Sequence, residues 1–250
     1  VVVDEQHRFG VDQRLSLMNK STSGSVPHQL IMTATPIPRT LAMTAYGDLD
    51  SSVINELPKG RGTIETVVVS EEKREGVILR VMDEIKKNRQ IYWVCPLIEE
   101  SEELNFEAVE TTHKNLKSKL KSCSIGLVHG KLDSLKKTKA MLDFKKGKQD
   151  VLVATTVIEV GVDVANASIM VIENSERLGL SQLHQLRGRV GRGEHKSICI
   201  LIYKKPLSSM AKMRLSAIRE SNDGFYISEK DLELRGPGEL LGTKQKGIIG

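Results

Sequence analysis

Two short stretches hold the residue types best suited to phosphate chemistry. The first is "VVVDEQH" at 1–7, where Asp4 and Glu5 directly follow three valines. A carboxylate at the carboxyl end of a buried parallel strand stands where α/β sheets bind ligands. Asp4 can hold Mg²⁺ through water, because that ion keeps several waters and takes one or two carboxylates with phosphate oxygens. Glu5 can orient or deprotonate a water that attacks a γ-phosphate. Two acids also describe a plain strand-end turn, and His7 alone describes a structural hydrogen-bonder. The second stretch is "QLRGRVGRG" at 185–193. On a helix that starts near Ser181, Gln185, Arg189 and Arg192 fall at i, i+4 and i+7, on one face. Gly188 and Gly191 would each cost such a helix about 1 kcal/mol relative to Ala. The backbone there is therefore expected to lie close to something else. Two Arg on one face fit a phosphate clamp, since guanidinium binds phosphate oxygens bidentately. The plainer alternative is an Arg-rich surface helix.

Two further stretches are weaker. In "TATPIPRT" at 33–40, Thr33 and Thr35 place hydroxyls at a strand end, and Pro36 and Pro38 force the chain out of regular structure. In "VATTVIEVGVDV" at 153–164, Thr155 and Thr156 could contact a nucleic-acid phosphate. Asp163, two residues after Gly161, could accept from a ribose hydroxyl; a strand followed by a helix cap explains the same letters. No G-x-x-x-x-G-K-[ST] loop and no strand-following G-x-G-x-x-G occurs in the 250 residues.

Elements that could position these residues are legible as continuous apolar runs at 1–3, 29–35, 65–70, 90–98, 125–130, 150–156, 168–174 and 197–203. Continuous rather than alternating runs suit strands buried on both faces of a parallel sheet. Between them, "SEEKREGVILRVMDEIKK" offers Ser70 as an N-cap and Val77, Ile78, Val81, Met82 and Ile85 as one apolar stripe. A polar-rich helix is expected at 134–148 and another after Pro206, followed by the Gly-rich "LRGPGELLGTKQKG". The alternation predicts an α/β fold, a parallel sheet flanked by helices. "INELPKGRGT" at 54–63 reads as a linker.

The net charge of +5 and pI near 9.0 permit a polyanion partner without requiring one. Lys114 to Lys148 carries eleven Lys against Asp133 and Asp143, which suits a solvated helical surface or a nucleic-acid face. Three isolated cysteines match no zinc spacing. Cys95 and Cys199, in apolar runs, are expected to be buried thiols of a reducing compartment. With no signal peptide and no 18-residue apolar run, the expectation is cytoplasmic and without membrane contact.

In order, these pieces resemble the second half of a superfamily 2 helicase motor: "DEQH" its motif II, "TATPIPRT" motif III, "VATTVIEVGVD" motif V and "QLRGRVGR" motif VI. "IMTATPIPRTLAMTAYGDLD", "YWVCPLIEESEEL", "GLVHGKL", "LGLSQLHQLRGRVGRG" and "SNDGFYISEKDLELRGPGELLGTKQKG" resemble the RecG family of branch-migrating DNA helicases over essentially the whole chain. The last piece resembles the TRG element shared with the transcription-repair coupling factor Mfd.

The resemblance implies a RecA-like P-loop NTPase helicase fold with a C-terminal helical hairpin. It divides the chain into the rear of a first motor domain (1–58), a second motor domain (59–205) and a TRG-like hairpin and loop (206–250). It implies ATP and Mg²⁺ as cofactors, Asp4 as the Mg²⁺ residue and Glu5 as the residue acting on the attacking water. Gln185, Arg189 and Arg192 would close on the γ-phosphate, with Gly161 and Asp163 on the nucleotide side and Thr155 on the DNA backbone. Gln6, His7, Thr33, Thr35, Arg214, Arg235 and Gln245 would couple hydrolysis to movement. The implied activity is a monomeric double-stranded DNA translocase that remodels stalled forks and Holliday junctions. The alternatives are an Mfd-type polymerase-pushing translocase and a non-enzymatic nucleic-acid-binding module. Without a P-loop lysine, these 250 residues by themselves are expected neither to bind ATP tightly nor to hydrolyse it.

Overall fold

A computed structural model describes residues 1–4, 28–33, 50, 52–54, 56, 62–97, 102–155, 164–193 and 195–235. The chain forms two compact units, Val1–Gly47 and Asp48–Gly250. Within the first, the predicted apolar runs give strands β1 (Val2–Asp4) and β2 (Leu30–Met32). They pair in parallel, Val2 opposite Leu30 and Asp4 opposite Met32.

Among the described residues, the second unit is built on a six-stranded, wholly parallel sheet. Its strands are β3 (Ile64–Ser70), β4 (Gln90–Val94), β5 (Ile125–Val128), β6 (Val151–Ala154), β7 (Ala167–Ile172) and β8 (Ser197–Tyr203). They lie in the order β3-β8-β7-β4-β6-β5. The apolar runs are continuous because both sheet faces are covered. Along β4, Ile91 and Trp93 join a core with Val77, Ile78 and Val81 of α1 (Arg74–Ile85) and Val109 and Leu116 of α2 (Glu102–Lys119). Tyr92 and Val94 join the opposite core with Phe144 of α3 (Ser134–Lys145) and Leu183 of α4 (Leu180–Arg187). Leu215 of α5 (Ser209–Glu220) and Ile227 of α6 (Gly224–Arg235) complete that second layer.

The strands predicted from apolar runs are all present, though shorter at several ends. Ser70 caps as expected, its Oγ accepting from the Glu72 N–H at 3.3 Å, but it opens a 3₁₀ turn (Glu71–Lys73) that precedes α1. The helix expected from Ser181 through Arg192 is corrected: α4 begins at Leu180 and ends at Arg187. The 18-residue α2 went unnoticed in the sequence because its apolar positions are few. Cys95 and Cys199 are buried, as expected, and burial raises both thiols, Cys199 to about 12. Among the described residues no helix is long and apolar enough to cross a membrane.

Candidate functional site

Within the first unit, the parallel register of β1 with β2 places Asp4 opposite Met32, with Thr33 one residue farther on. The leading residues of two separate motifs thus emerge side by side at the carboxyl ends of the two strands. Both are exposed. A solvated carboxylate beside a hydroxyl fits a cation held through water. Glu5, Gln6, His7 and Thr35 lie outside the described residues.

In the second unit, β7 leads through a 3₁₀ turn at Ser175–Arg177 into α4. The Gly179 N–H donates to Gln182 Oε1 at 3.1 Å, closing the first turn. Leu180, Leu183 and Leu186 anchor the helix in the core. It then tightens: Arg189 N–H donates to Leu186 O at 3.0 Å and Val190 N–H to Arg187 O at 3.3 Å. Val190 is fully buried, and Gly191 turns the chain with φ of 80°. A Cβ on Gly191 would stand 2.9 Å from Ile64 Cγ1, and one on Gly193 would stand 2.4 Å from the Ala165 carbonyl oxygen. Both glycines are therefore close-approach positions. Of the two glycines expected to have a close neighbour, Gly188 and Gly191, the Ile64 side chain bears this out for Gly191, though outside the helix; Gly193 was not among them.

Gln185, Arg189 and Arg192 consequently do not share a helical face. Gln185 lies on α4, Arg189 in the turn after it, and Arg192 beyond the left-handed glycine. Arg192 Nε reaches back to Gly188 O at 3.3 Å, so both arginines leave one glycine-pinned turn. Gln185 and Arg189 are half-buried and Arg192 is exposed.

Thr155, at the end of β6, is fully buried, and its hydroxyl has no hydrogen-bond partner among the described residues. Arg214 on α5 donates to Leu178 O at 2.8 Å and to Glu176 O at 2.9 Å, gripping the segment that enters α4. Gly161, Asp163, Gln245 and the side chain of Arg235 lie outside the described residues. The lysine-rich stretch is an exposed helical surface in which Asp133 pairs with Lys136 at 3.2 Å and Asp143 with Lys148 at 3.3 Å.

Sequence reasoning missed Arg187. Its side chain is almost wholly enclosed, and its Nη1 donates to Ile218 O at 2.6 Å, Ser221 O at 2.8 Å and Thr66 Oγ1 at 3.3 Å. Nη2 donates to His184 Nδ1 at 3.0 Å. Burial disfavours its charge and lowers its pKa. The signal was available: Arg187 lies seven residues after Leu180 and four after Leu183, on the buried stripe. Ser181 Oγ also donates to the buried Asp231 of α6 at 2.8 Å, so α4 is tied at both ends to the helices that follow.

Two family descriptions match the chain: the helicase conserved C-terminal domain at residues 73–194, and ATP-dependent DNA helicase RecG, domain 3, C-terminal, at 221–249. The chain is 61% identical to ATP-dependent DNA helicase RecG of Haemophilus influenzae over 250 residues, 99% of this chain and 36% of that protein. Against the RecG of Escherichia coli K12 the identity is 61% over 249 residues, again 36% of that protein. The chain thus spans about a third of these relatives' length. A solved RecG bound to a three-way DNA junction superposes with a TM-score of 0.77 at 42% identity, covering 96% of this chain and 30% of that one. The Mycobacterium smegmatis helicase Lhr, bound to single-stranded DNA and AMP-PNP, superposes at 0.60 with 16% identity, covering 89% of this chain and 31% of that one. At that identity the likeness concerns the fold, which is RecA-like.

Proposed function

From the premise that this chain belongs to the RecG family, we propose that it is motor machinery of an ATP-dependent helicase that remodels branched DNA. Residues 1–58 would complete a first motor domain, 59–205 form the second, and 206–250 the element that couples it to duplex movement. Asp4 would hold Mg²⁺ through water, and the ion when bound would neutralise phosphate charge. Glu5 would orient the attacking water, while Gln6, His7, Thr33 and Thr35 relay nucleotide state. Arg189 and Arg192 would meet the γ-phosphate, with Gln185 beside them and Gly161 and Asp163 on the nucleotide side. Thr155 would serve the DNA backbone, and Arg214, Arg235 and Gln245 the coupling. The motor would act as a cytoplasmic monomer.

The observation that supports this reading most is the turn at 188–193. Its two arginines project from a segment that glycine packing fixes in place, which suits stabilising charge developing on a transferred phosphoryl group. In the full-length protein, Arg189→Ala and Arg192→Ala should each lower DNA-stimulated ATP hydrolysis by about 10³-fold or more while retaining DNA binding. Steady-state ATPase assays with a junction substrate decide it, and unchanged turnover in both variants would sink the assignment.

A further inference from the structure

We infer that Arg187 is a positioning residue for nucleotide hydrolysis: it fastens the turn carrying Arg189 and Arg192 to the carboxyl end of α5. The inference rests on the assignment of those two arginines to the phosphate.

Arg187 is the last residue of α4, so whatever fixes its guanidinium fixes the point from which the turn departs. Its acceptors come from three elements: Thr66 on β3, His184 on α4, and the Ile218 and Ser221 carbonyls at the end of α5. All of these partners are neutral. The compensation for burying the cation comes instead from carbonyls at the negative end of the α5 macrodipole.

An apolar side chain on the Leu180–Leu183 stripe would fill the same interior space but would leave the Ile218 and Ser221 carbonyls without this donor, at a cost of about 1–3 kcal/mol. What an apolar residue lacks is direction. The planar guanidinium presents its donors in a fixed fork, so it can hold two carbonyls and an imidazole in one relative geometry.

The contacts around the turn also close into a ring. Arg187 holds Ser221 O at 2.8 Å. The next residue, Asn222, donates from Nδ2 to Ile64 O at 3.1 Å. The Ile64 side chain occupies the space where a Gly191 Cβ would stand. The start of the turn and its left-handed glycine are thereby referred to the same two residues between α5 and α6. A shift of α5 would have to move the arginine turn, and a shift of the turn would have to move α5.

The test uses the full-length protein with Arg187→Lys, which keeps the charge without the fork, and Arg187→Met, which keeps the volume without the charge. The expected result is a fall in kcat for DNA-stimulated ATP hydrolysis of about tenfold or more, with KM for ATP little changed and each variant still folded at the assay temperature by its melting curve. Arg187→Lys combined with Arg192→Ala should be less than additive, because part of the Arg187 effect passes through Arg192 and the rest through Arg189. Wild-type kcat in both Arg187 variants overturns the inference. So does a loss proportional to unfolded protein, or strict additivity in the double variant. Unchanged turnover in both Arg189→Ala and Arg192→Ala instead identifies failure of the phosphate assignment, and the positioning role falls with it.

Discussion

Gly193 has little room for change. An added Cβ would meet the backbone oxygen of Ala165 at 2.4 Å, and backbone cannot rotate aside. Gly191 is limited differently, by a φ of 80° and by Ile64 Cγ1 at 2.9 Å, an atom of a side chain that can give way. Gly193→Ala should therefore fall at the upper end of the overpacking range of about 1–3 kcal/mol. Gly191→Ala should cost about 1–2 kcal/mol, chiefly for the left-handed conformation. Urea denaturation midpoints measure both, and wild-type midpoints would remove the packing account of these glycines. The pairing of Gly188 and Gly191 with Arg189 and Arg192 was visible in the sequence, but it was placed on a helix rather than in the turn that follows one. Its spacing fits a helical face as well as a turn, and only the full burial of Val190 and the left-handed Gly191 separate the two.

At the scale of elements, α5 is the hub of the C-terminal layer. Its amino end is capped by Ser208, whose Oγ accepts from the Ala211 N–H at 3.1 Å, and its carboxyl end by the Arg187 guanidinium. Arg214 reaches from its middle to the entry of α4. Removing the amino-terminal cap with Ser208→Ala should cost about 1 kcal/mol. Native-state hydrogen exchange would then show faster exchange in the first turn of α5, with the strands of the sheet little affected. Uniform acceleration across the sheet would mean that α5 is not a separable layer. The cap was foreseeable, since serine before a helical run is a local signal. The carboxyl-terminal clamp was not, because Arg187 lies 31 residues before Ile218 and 34 before Ser221 in sequence.

For the molecule as a whole, burial sets the response to acid. Desolvation holds His113 and His129 below the ordinary value of 6.5, so the fold favours their neutral forms. The unfolded chain binds protons first, and stability present above about pH 6.5 is lost as pH falls below it. A second window lies lower. Burial opposes the charge on Glu84, but hydrogen bonding to Lys87 and the nearby Arg89 outweigh it and hold its carboxyl below 4.5. That contribution is present above pH 4.5 and is lost as pH falls through the depressed folded value. Urea midpoints should therefore drop between pH 7 and 5.5, and again below 4.5, with Glu84→Gln flattening only the second step. A flat profile above pH 5 would contradict the desolvation of the half-buried His113 and the buried His129.

The sequence by itself determined the parallel α/β class, the strand positions, the Ser70 cap and the buried Cys95 and Cys199. Each of these is written locally: a strand covered on both faces must be apolar at every position, and a cap needs one hydroxyl in the right place. The tertiary structure alone decided where α4 stops, that Asp4 and Thr33 emerge together, and that Arg187 points inward. Those outcomes depend on strand register, on which side chain fills a space left by a glycine, and on carbonyls at the end of another helix. They belong to pairs of distant residues, and no single stretch of sequence carries them.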